Sequence, residues 1–268
     1  MRRPGLGAVF AAVAVGLLFA GCAARRPPAR HLPPAVLPAA LDLDAALHAR
    51  QSALQSLRAL ARLRYQAPED SSTSREAIVV ARPDRLRVEV LSLFGSVFVL
   101  TADNGEIRAY ARQEDTVYRG TASPQNLWRY THLGLPVSDL VAIVLGTPPP
   151  RRTQRQQVGF DADTGWVSLQ QQLDEGAQIV WFSDGRLPVA AEQRGNDGRA
   201  QWRVTFSDYE VHDGVPVATR IGIGWPSGER SLQIALEQID VNPALDNSVF
   251  ALQAPQGSKV VDLDPVAD

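Results

Sequence analysis

Four histidines, His31, His48, His132 and His212, are the first residues to test for chemistry in this 268-residue chain. A metal site needs imidazoles, thiolates or carboxylates at paired spacing, so that one helix face or turn presents two ligands together. These four stand far apart and unpaired, and no resident metal is expected. A serine nucleophile set on a strand-to-helix elbow needs Gly-x-Ser-x-Gly. The nearest match, Gly224-Trp225-Pro226-Ser227-Gly228, places its serine one residue too late. Glycine patterns that cradle phosphates are missing, which leaves no basis for a nucleotide cofactor. Paired carboxylates suit general acid–base work. Those at Asp161/Asp163, Asp174/Glu175 and Asp262/Asp264 fall in turn-like or tail segments, where a solvated loop is the ordinary setting. No catalytic residues and no cofactor are expected, and the chain is not read as an enzyme.

Cys22, the only cysteine, offers chemistry of another kind. It follows Arg2, Arg3, an apolar run from Ala8 to Ala20, and the small residues of Phe19-Ala20-Gly21. The run is shorter than the ~20 residues of a spanning helix, so residues 1–21 read as a cleaved secretory signal. The small residues before the cysteine resemble the lipobox of bacterial lipoproteins. That resemblance implies lipidation at Cys22, with acyl chains such as palmitate fixing the mature N-terminus to a membrane. More than one chain makes such anchoring stable, at ~0.8 kcal/mol per buried methylene. Ala23 after the cysteine, by the same resemblance, implies the outer membrane and its periplasmic face. A lone cysteine also excludes an internal disulfide.

The elements that would position a site follow a short tether. Residues 22–40, rich in Arg, Pro and Ala, cannot bury enough apolar surface to fold. The formal net charge of −2 gives no electrostatic footprint for nucleic acid. From Asp42 to about Tyr65, Leu43, Leu47, Leu54, Leu57 and Ala61 recur at helical spacing, with Asp42 or Asp44 available as a cap. Arg50 interrupts that stripe, and it either snorkels to water or meets a partner.

Strand periodicity follows. Leu86, Val88 and Val90 alternate with Arg85, Arg87 and Glu89, while Trp202, Val204 and Phe206 alternate with Gln201, Arg203, Thr205 and Ser207. Ser123-Pro124 predicts a helix start and Pro136 a second one, closed at Gly146. The run TPPPRRTQRQQ reads as a flexible loop. Short turns such as Asp184-Gly185 and Asp213-Gly214 separate the late strands. The sum is an α+β domain over residues 41–252, with a flexible tail at 253–268. Its core is one strongly curved antiparallel sheet of roughly ten or eleven strands, an N-terminal helix and two short helices covering the concave face.

The stretches LSLFGSVFVLTADNGEIRAY, LWRYTHLGLPVSDLVAIVLGTP, SDGRLPVAAEQR, VTFSDYE with DGVPVATRI, and VNPALDNSVFAL resemble, in this order, the LolA/LolB superfamily of lipoprotein carriers and receptors. The lipobox and the helix pair are most similar to the LolB branch. The resemblance implies an incomplete β-barrel closed by helices around an apolar hollow. It also implies a monomer that takes lipoprotein acyl chains from a periplasmic LolA-like carrier and inserts them in the outer membrane. Such a hollow has a physical reason. Three chains of about 16 carbons exposed to water forfeit on the order of 30 to 40 kcal/mol.

Candidates for the cavity wall are Leu86, Val88, Val90, Trp202, Val204 and Phe206 on strands. Leu127, Trp128, Leu140 and Val144 join them from the helices. Ordinary core packing competes with that role at each position. Phe94, with Leu93, stands where a turn should be polar. It either folds back onto its own sheet or protrudes, and the resemblance implies a protruding, membrane-contacting loop. A carrier of free lipid or glycolipid with the same fold, and a structural envelope lipoprotein that binds a protein partner, are the alternatives.

Overall fold

The computed structural model describes residues 31–183 and 186–264. The signal segment, Cys22, the first part of the tether to residue 30, the turn at Asp184-Gly185 and the last four residues of the tail lie outside the described residues. The stripe read as one helix divides in two. Helix α1 (Ala40–Ala53) buries Leu43, Leu47 and Arg50, and strand β1 (Ser56–Gln66) follows. Leu57 and Ala61 satisfy a helical spacing. Together with Ala59 and Leu63, however, they also alternate with Arg58, Arg62 and Arg64. The strand period wins because β2 (Ser71–Ala81) and β13 (Arg230–Val241) supply backbone partners on both sides of β1.

Neither Asp42 nor Asp44 caps α1. The cap position is Ala39, and Asp42 sits in the first turn, where the helix dipole favours an acid. Arg50 meets a partner rather than snorkelling. Its Nε donates to the carbonyl of Gly146 at 3.1 Å and its Nη1 to that of Pro216 at 2.8 Å, with the guanidinium 5.2 Å above the Tyr209 ring. Burial pushes the pKa of Arg50 down, and the Tyr209 contact opposes that shift.

Between β2 and the helix pair run β3 (Arg85–Ser92), β4 (Gly95–Asp103), β5 (Glu106–Ala111) and β6 (Thr116–Thr121). After the helices come β7 (Arg155–Phe160), β8 (Val167–Gln172), β9 (Ala177–Phe182), β10 (Pro188–Arg194), β11 (Ala200–His212) and β12 (Val215–Trp225), then β13 and β14 (Lys259–Asp262). They form one sheet in the order β14-β6-β5-β4-β3-β2-β1-β13-β12-β11-β10-β9-β8-β7. Every pairing is antiparallel except β14 with β6. The sheet does not close, so β14 and β7 remain its edges.

The α+β class and the curved, unclosed sheet are as expected, but there are fourteen strands among the described residues rather than ten or eleven. The four not anticipated are β1, β2, β7 and β14. The tail at 253–268, read as flexible, carries β14, whose Lys259 to Asp262 pair with Thr116 to Arg119. Asp264 fixes it further, accepting from the backbone N–H and hydroxyl of Thr121 and from Asn126 Nδ2, each at 2.8 Å. Those hydrogen bonds hold its carboxyl below the usual range.

Helix α2 (Pro124–Thr131) begins as predicted, with Ser123 Oγ accepting from the Asn126 N–H and Pro124 inside the first turn. Helix α3 (Val137–Val144) is apolar all round apart from Ser138 and Asp139, and it packs against β2 and β3 under the curve of the sheet. Gly146, at φ +64°, ends it, and a Cβ there would meet Arg50 Nη2 at 3.2 Å and Ala218 Cβ at 3.3 Å. The Pro/Arg run after it is a loop, as its composition implies, and its first residues are packed into the fold. Thr147, Pro148 and Pro149 are buried, and Gln178 Nε2 donates to the Pro149 carbonyl at 3.0 Å. Among the described residues, no helix is long and apolar enough to cross a membrane.

Candidate functional site

Residues two apart on a strand share a face, so β3 aims Leu86, Val88 and Val90 at the concave side. Leu140 and Val144 of α3 meet them there, and the five line an apolar cavity of about 160 Å³. Neighbouring strands complete its wall with Leu63 of β1, Ile78 of β2, Phe98 of β4 and Ile234 of β13. The other candidates lie elsewhere. Leu127, Val204 and Phe206 are packed in the solid core at 0%, 0% and 2% exposure, because side chains from facing elements fill the space they reach. Trp202 lines a separate cleft beside Arg151 and Trp225. Trp128 is partly exposed, with the Arg230 guanidinium 4.3 Å from its ring centre. An engineered cavity of about 150 Å³ holds one benzene. The open space here therefore admits part of one acyl chain, and three require the walls to move.

The cavity lies toward one end of the sheet. Tyr65 is next to last in β1 and Ser72 is second in β2, and both stand on its rim with His132, whose ring stacks on Tyr65 at 5.1 Å. Tyr130 of α2 stacks on Phe98 at 5.6 Å. Burial, and then Tyr118, push the Tyr130 phenol up to about 12, so it stays neutral. This aromatic rim is amphipathic, the property that places Tyr and Trp at water–lipid boundaries.

From the same end projects the β3–β4 turn. Ser92 pairs with Gly95, leaving Leu93 and Phe94 as the two loop residues. Gly95 at φ +97° adopts a conformation other residues resist. Ser92 Oγ accepts from the Phe94 N–H at 3.2 Å and donates to the Gly95 carbonyl at 2.8 Å. Arg112 Nη1 donates to the Phe94 carbonyl at 3.1 Å. The turn is thus held by its backbone and by Ser92 and Arg112, while Leu93 is 97% exposed and Phe94 89%. Phe94 does not fold back onto the sheet. Leu93 lies three residues past Val90, ~10 Å along an extended strand from the cavity wall.

Sequence reasoning missed one group altogether. On β2, Ser72, Ser74, Glu76 and Ile78 share the cavity face. The available signal was their period of two, but the apolar run of Ile78 to Ala81 on both faces and the polar start hid it. Glu76 is 8% exposed, paired across the sheet with Ala61 and Val90. Burial raises its pKa, and a hydrogen bond from Ser74 opposes that shift. The remaining titratable groups on the cavity wall are Tyr65, Tyr130 and His132.

Unfolded, the Glu76 carboxyl ionises near its ordinary value of 4.5. Folded, it keeps its proton to higher pH. The native state therefore binds more protons in that window, and stability falls as pH rises through it. Glu76→Gln is expected to raise Tm at pH 8 and to change it little at pH 4. Differential scanning calorimetry at the two pH values checks this; equal shifts at both would contradict it.

Among the described residues, no three His, Cys, Asp or Glu side chains gather as a metal site. The carboxylates flagged by sequence serve turns and surfaces. Asp161 accepts from the backbone N–H of Asp163 and Thr164, which lowers its pKa, and Asp262 makes an exposed ion pair with Arg119.

A family model described as "Outer membrane lipoprotein LolB" matches residues 57–238. No curated protein sequence matches the chain. Among solved structures, an outer membrane lipoprotein-sorting protein domain from Vibrio parahaemolyticus superposes with a TM-score of 0.58 at 14% identity, over 78% of this chain and 95% of that one. A DUF1329 family protein from Desulfovibrio piger gives 0.56 at 13% identity, over 79% and 95%. A LolA superfamily protein from Nitrosomonas europaea gives 0.55 at 11% identity, over 78% and 97%. At these identities the likeness is one of fold.

Proposed function

The chain belongs to the LolB family of outer membrane lipoproteins, and on that premise we propose that it binds lipoprotein acyl chains in the cavity under α3 and delivers them to the outer membrane across the Leu93 and Phe94 turn. The carrier that loads it is a LolA-like periplasmic protein, and the chain itself is held to the membrane by lipid at Cys22. Its role is binding and transfer rather than catalysis.

One observation carries this reading. The apolar cavity and the most exposed apolar turn stand at the same end of the sheet, joined by Val90 and Phe98 at the base of the hairpin. An acyl chain leaving the cavity there meets an apolar surface within ~10 Å instead of water. The energetics need only a small downhill step. A chain that gains ~0.8 kcal/mol per buried methylene in either place exchanges one apolar environment for another. The cavity must widen on loading, and the unclosed sheet covered by a short helix leaves α3 as the wall that can yield without breaking strand pairing.

Filling the cavity tests the reading. Val88→Trp places an indole in the open space and is expected to weaken binding of a fluorescent palmitoylated lipopeptide about tenfold, while overpacking costs no more than about 1–3 kcal/mol of stability. Fluorescence titration of the full chain, with circular dichroism to confirm folding, reads both. Unchanged affinity in a folded variant would place the ligand elsewhere and remove the proposal.

A further inference from the structure

Glu76 is an unusual component for a greasy pocket. A buried carboxyl without a cation is unfavourable, because desolvation opposes its charge and no opposite charge compensates. Its sheet neighbours are the apolar Ala61 and Val90, and the next cavity-facing residue inward is Ile78. Toward the rim lie Ser74 and Ser72. Ser74 Oγ donates to Glu76 Oε1 at 2.7 Å. Among the described residues no donor reaches Oε2, and none of Tyr65, Tyr130 or His132 forms a hydrogen bond or ion pair with it. The arrangement is a hydrogen-bond acceptor aimed into an apolar chamber, between its deep wall and its polar lip.

An acyl chain alone gains nothing from such an acceptor. A hydrogen-bond donor attached close to the chain does, since a chain filling the cavity excludes the water that Glu76 Oε2 can otherwise reach, and a donor on the ligand replaces that lost hydrogen bond. We propose that Ser72, Ser74 and Glu76 form a head-group subsite for a donor N–H or O–H next to an acyl carbonyl, so that the cavity selects acylated amphiphiles rather than plain hydrocarbon. The inference rests on the acyl-binding reading above and specifies its ligand. The amide N–H of an N-acylated cysteine and the hydroxyl of an acylglycerol share this chemistry. In either, the chain would lie against Val88, Leu140 and Val144, with the head toward the rim.

Three probes competing with a bound fluorescent fatty acid on the full chain test it. N-palmitoyl-cysteine methyl ester carries the amide donor, monopalmitoylglycerol the hydroxyl donors, and methyl palmitate none. The unaltered protein is expected to prefer at least one donor probe over methyl palmitate by about tenfold. Glu76→Leu abolishes that preference and leaves methyl palmitate unaffected or tighter, and Glu76→Gln, which keeps a carbonyl acceptor, retains part of it. Preference for the amide identifies a lipoprotein source, and preference for the glycerol identifies a glycerolipid. A preference that survives Glu76→Leu, or an equal loss for all three probes, overturns the subsite and leaves the acyl-binding reading standing. Failure of all three to displace the fatty acid from the unaltered protein overturns both.

Discussion

Replacing Leu93 and Phe94 together with Glu is expected to slow delivery of bound lipopeptide into vesicles by about a hundredfold at the least. The estimate follows from burial of the two side chains in the bilayer edge, at about 1.5–3 kcal/mol each, when every ~1.4 kcal/mol is a factor of ten. Folding should be untouched. The two side chains are exposed, and the turn owes its shape to Ser92, Arg112 and Gly95 rather than to them. Lipopeptide affinity should also hold, because the turn lies beyond the cavity wall. The single change Phe94→Glu should give roughly a tenfold loss on the same reasoning. Dequenching of a fluorescent lipopeptide on transfer to vesicles gives the rate, and calorimetry gives the stability. Full-speed transfer by the double variant would end the membrane role of the turn.

How much of this was legible from the residues depends on whether one element or several decide a position. Phe94 was conspicuous because an aromatic followed by Gly in a turn has few structural uses, and no tertiary contact intervenes to give it one. Leu86, Val88 and Val90 were found by a clean alternation on a half-covered strand. The start of α2 at Ser123-Pro124 is local chemistry and was read from two residues. Where packing partners decide, periodicity misled. Leu57 and Ala61 fit a helix as well as a strand, and only β2 and β13 on either side settle it. Trp202, Val204 and Phe206 alternate as cleanly as the residues of β3. What separates a cavity wall from a filled core is whether side chains on facing elements occupy the space opposite, which one strand's pattern does not contain. Glu76 was missed because β2 begins polar and ends apolar on both faces, so no alternation marks the face its carboxyl shares with Ile78.

The same distinction explains the Pro/Arg run after α3, whose composition reads as loop while its packing makes it a strap. Arg151 Nη1 and Nη2 donate to the two carboxylate oxygens of Asp139 at 2.9 and 2.6 Å, and its Nε reaches Gln193 Oε1 at 3.4 Å. The Asp139 side chain is 6% exposed and that of Arg151 23%. Asp139 stands in the first turn of α3, where the helix dipole already favours its charge. The pair therefore ties the helix that covers the cavity to the strap leading into β7. Arg151→Ala strands a buried carboxylate, and removal of one partner of a buried pair costs about 3–5 kcal/mol. Because the arginine is partly solvated and the helix terminus shares the charge, a loss near the lower bound of about 3 kcal/mol is expected in urea unfolding. Arg152→Ala, one residue along and exposed, should change stability by no more than about 0.5 kcal/mol. Adding Asp139→Asn to Arg151→Ala should recover a substantial part of the loss, since a neutral amide is cheaper to bury than an unpaired carboxylate. A double variant no more stable than Arg151→Ala alone would show that the strap holds α3 by packing, with the ion pair contributing little.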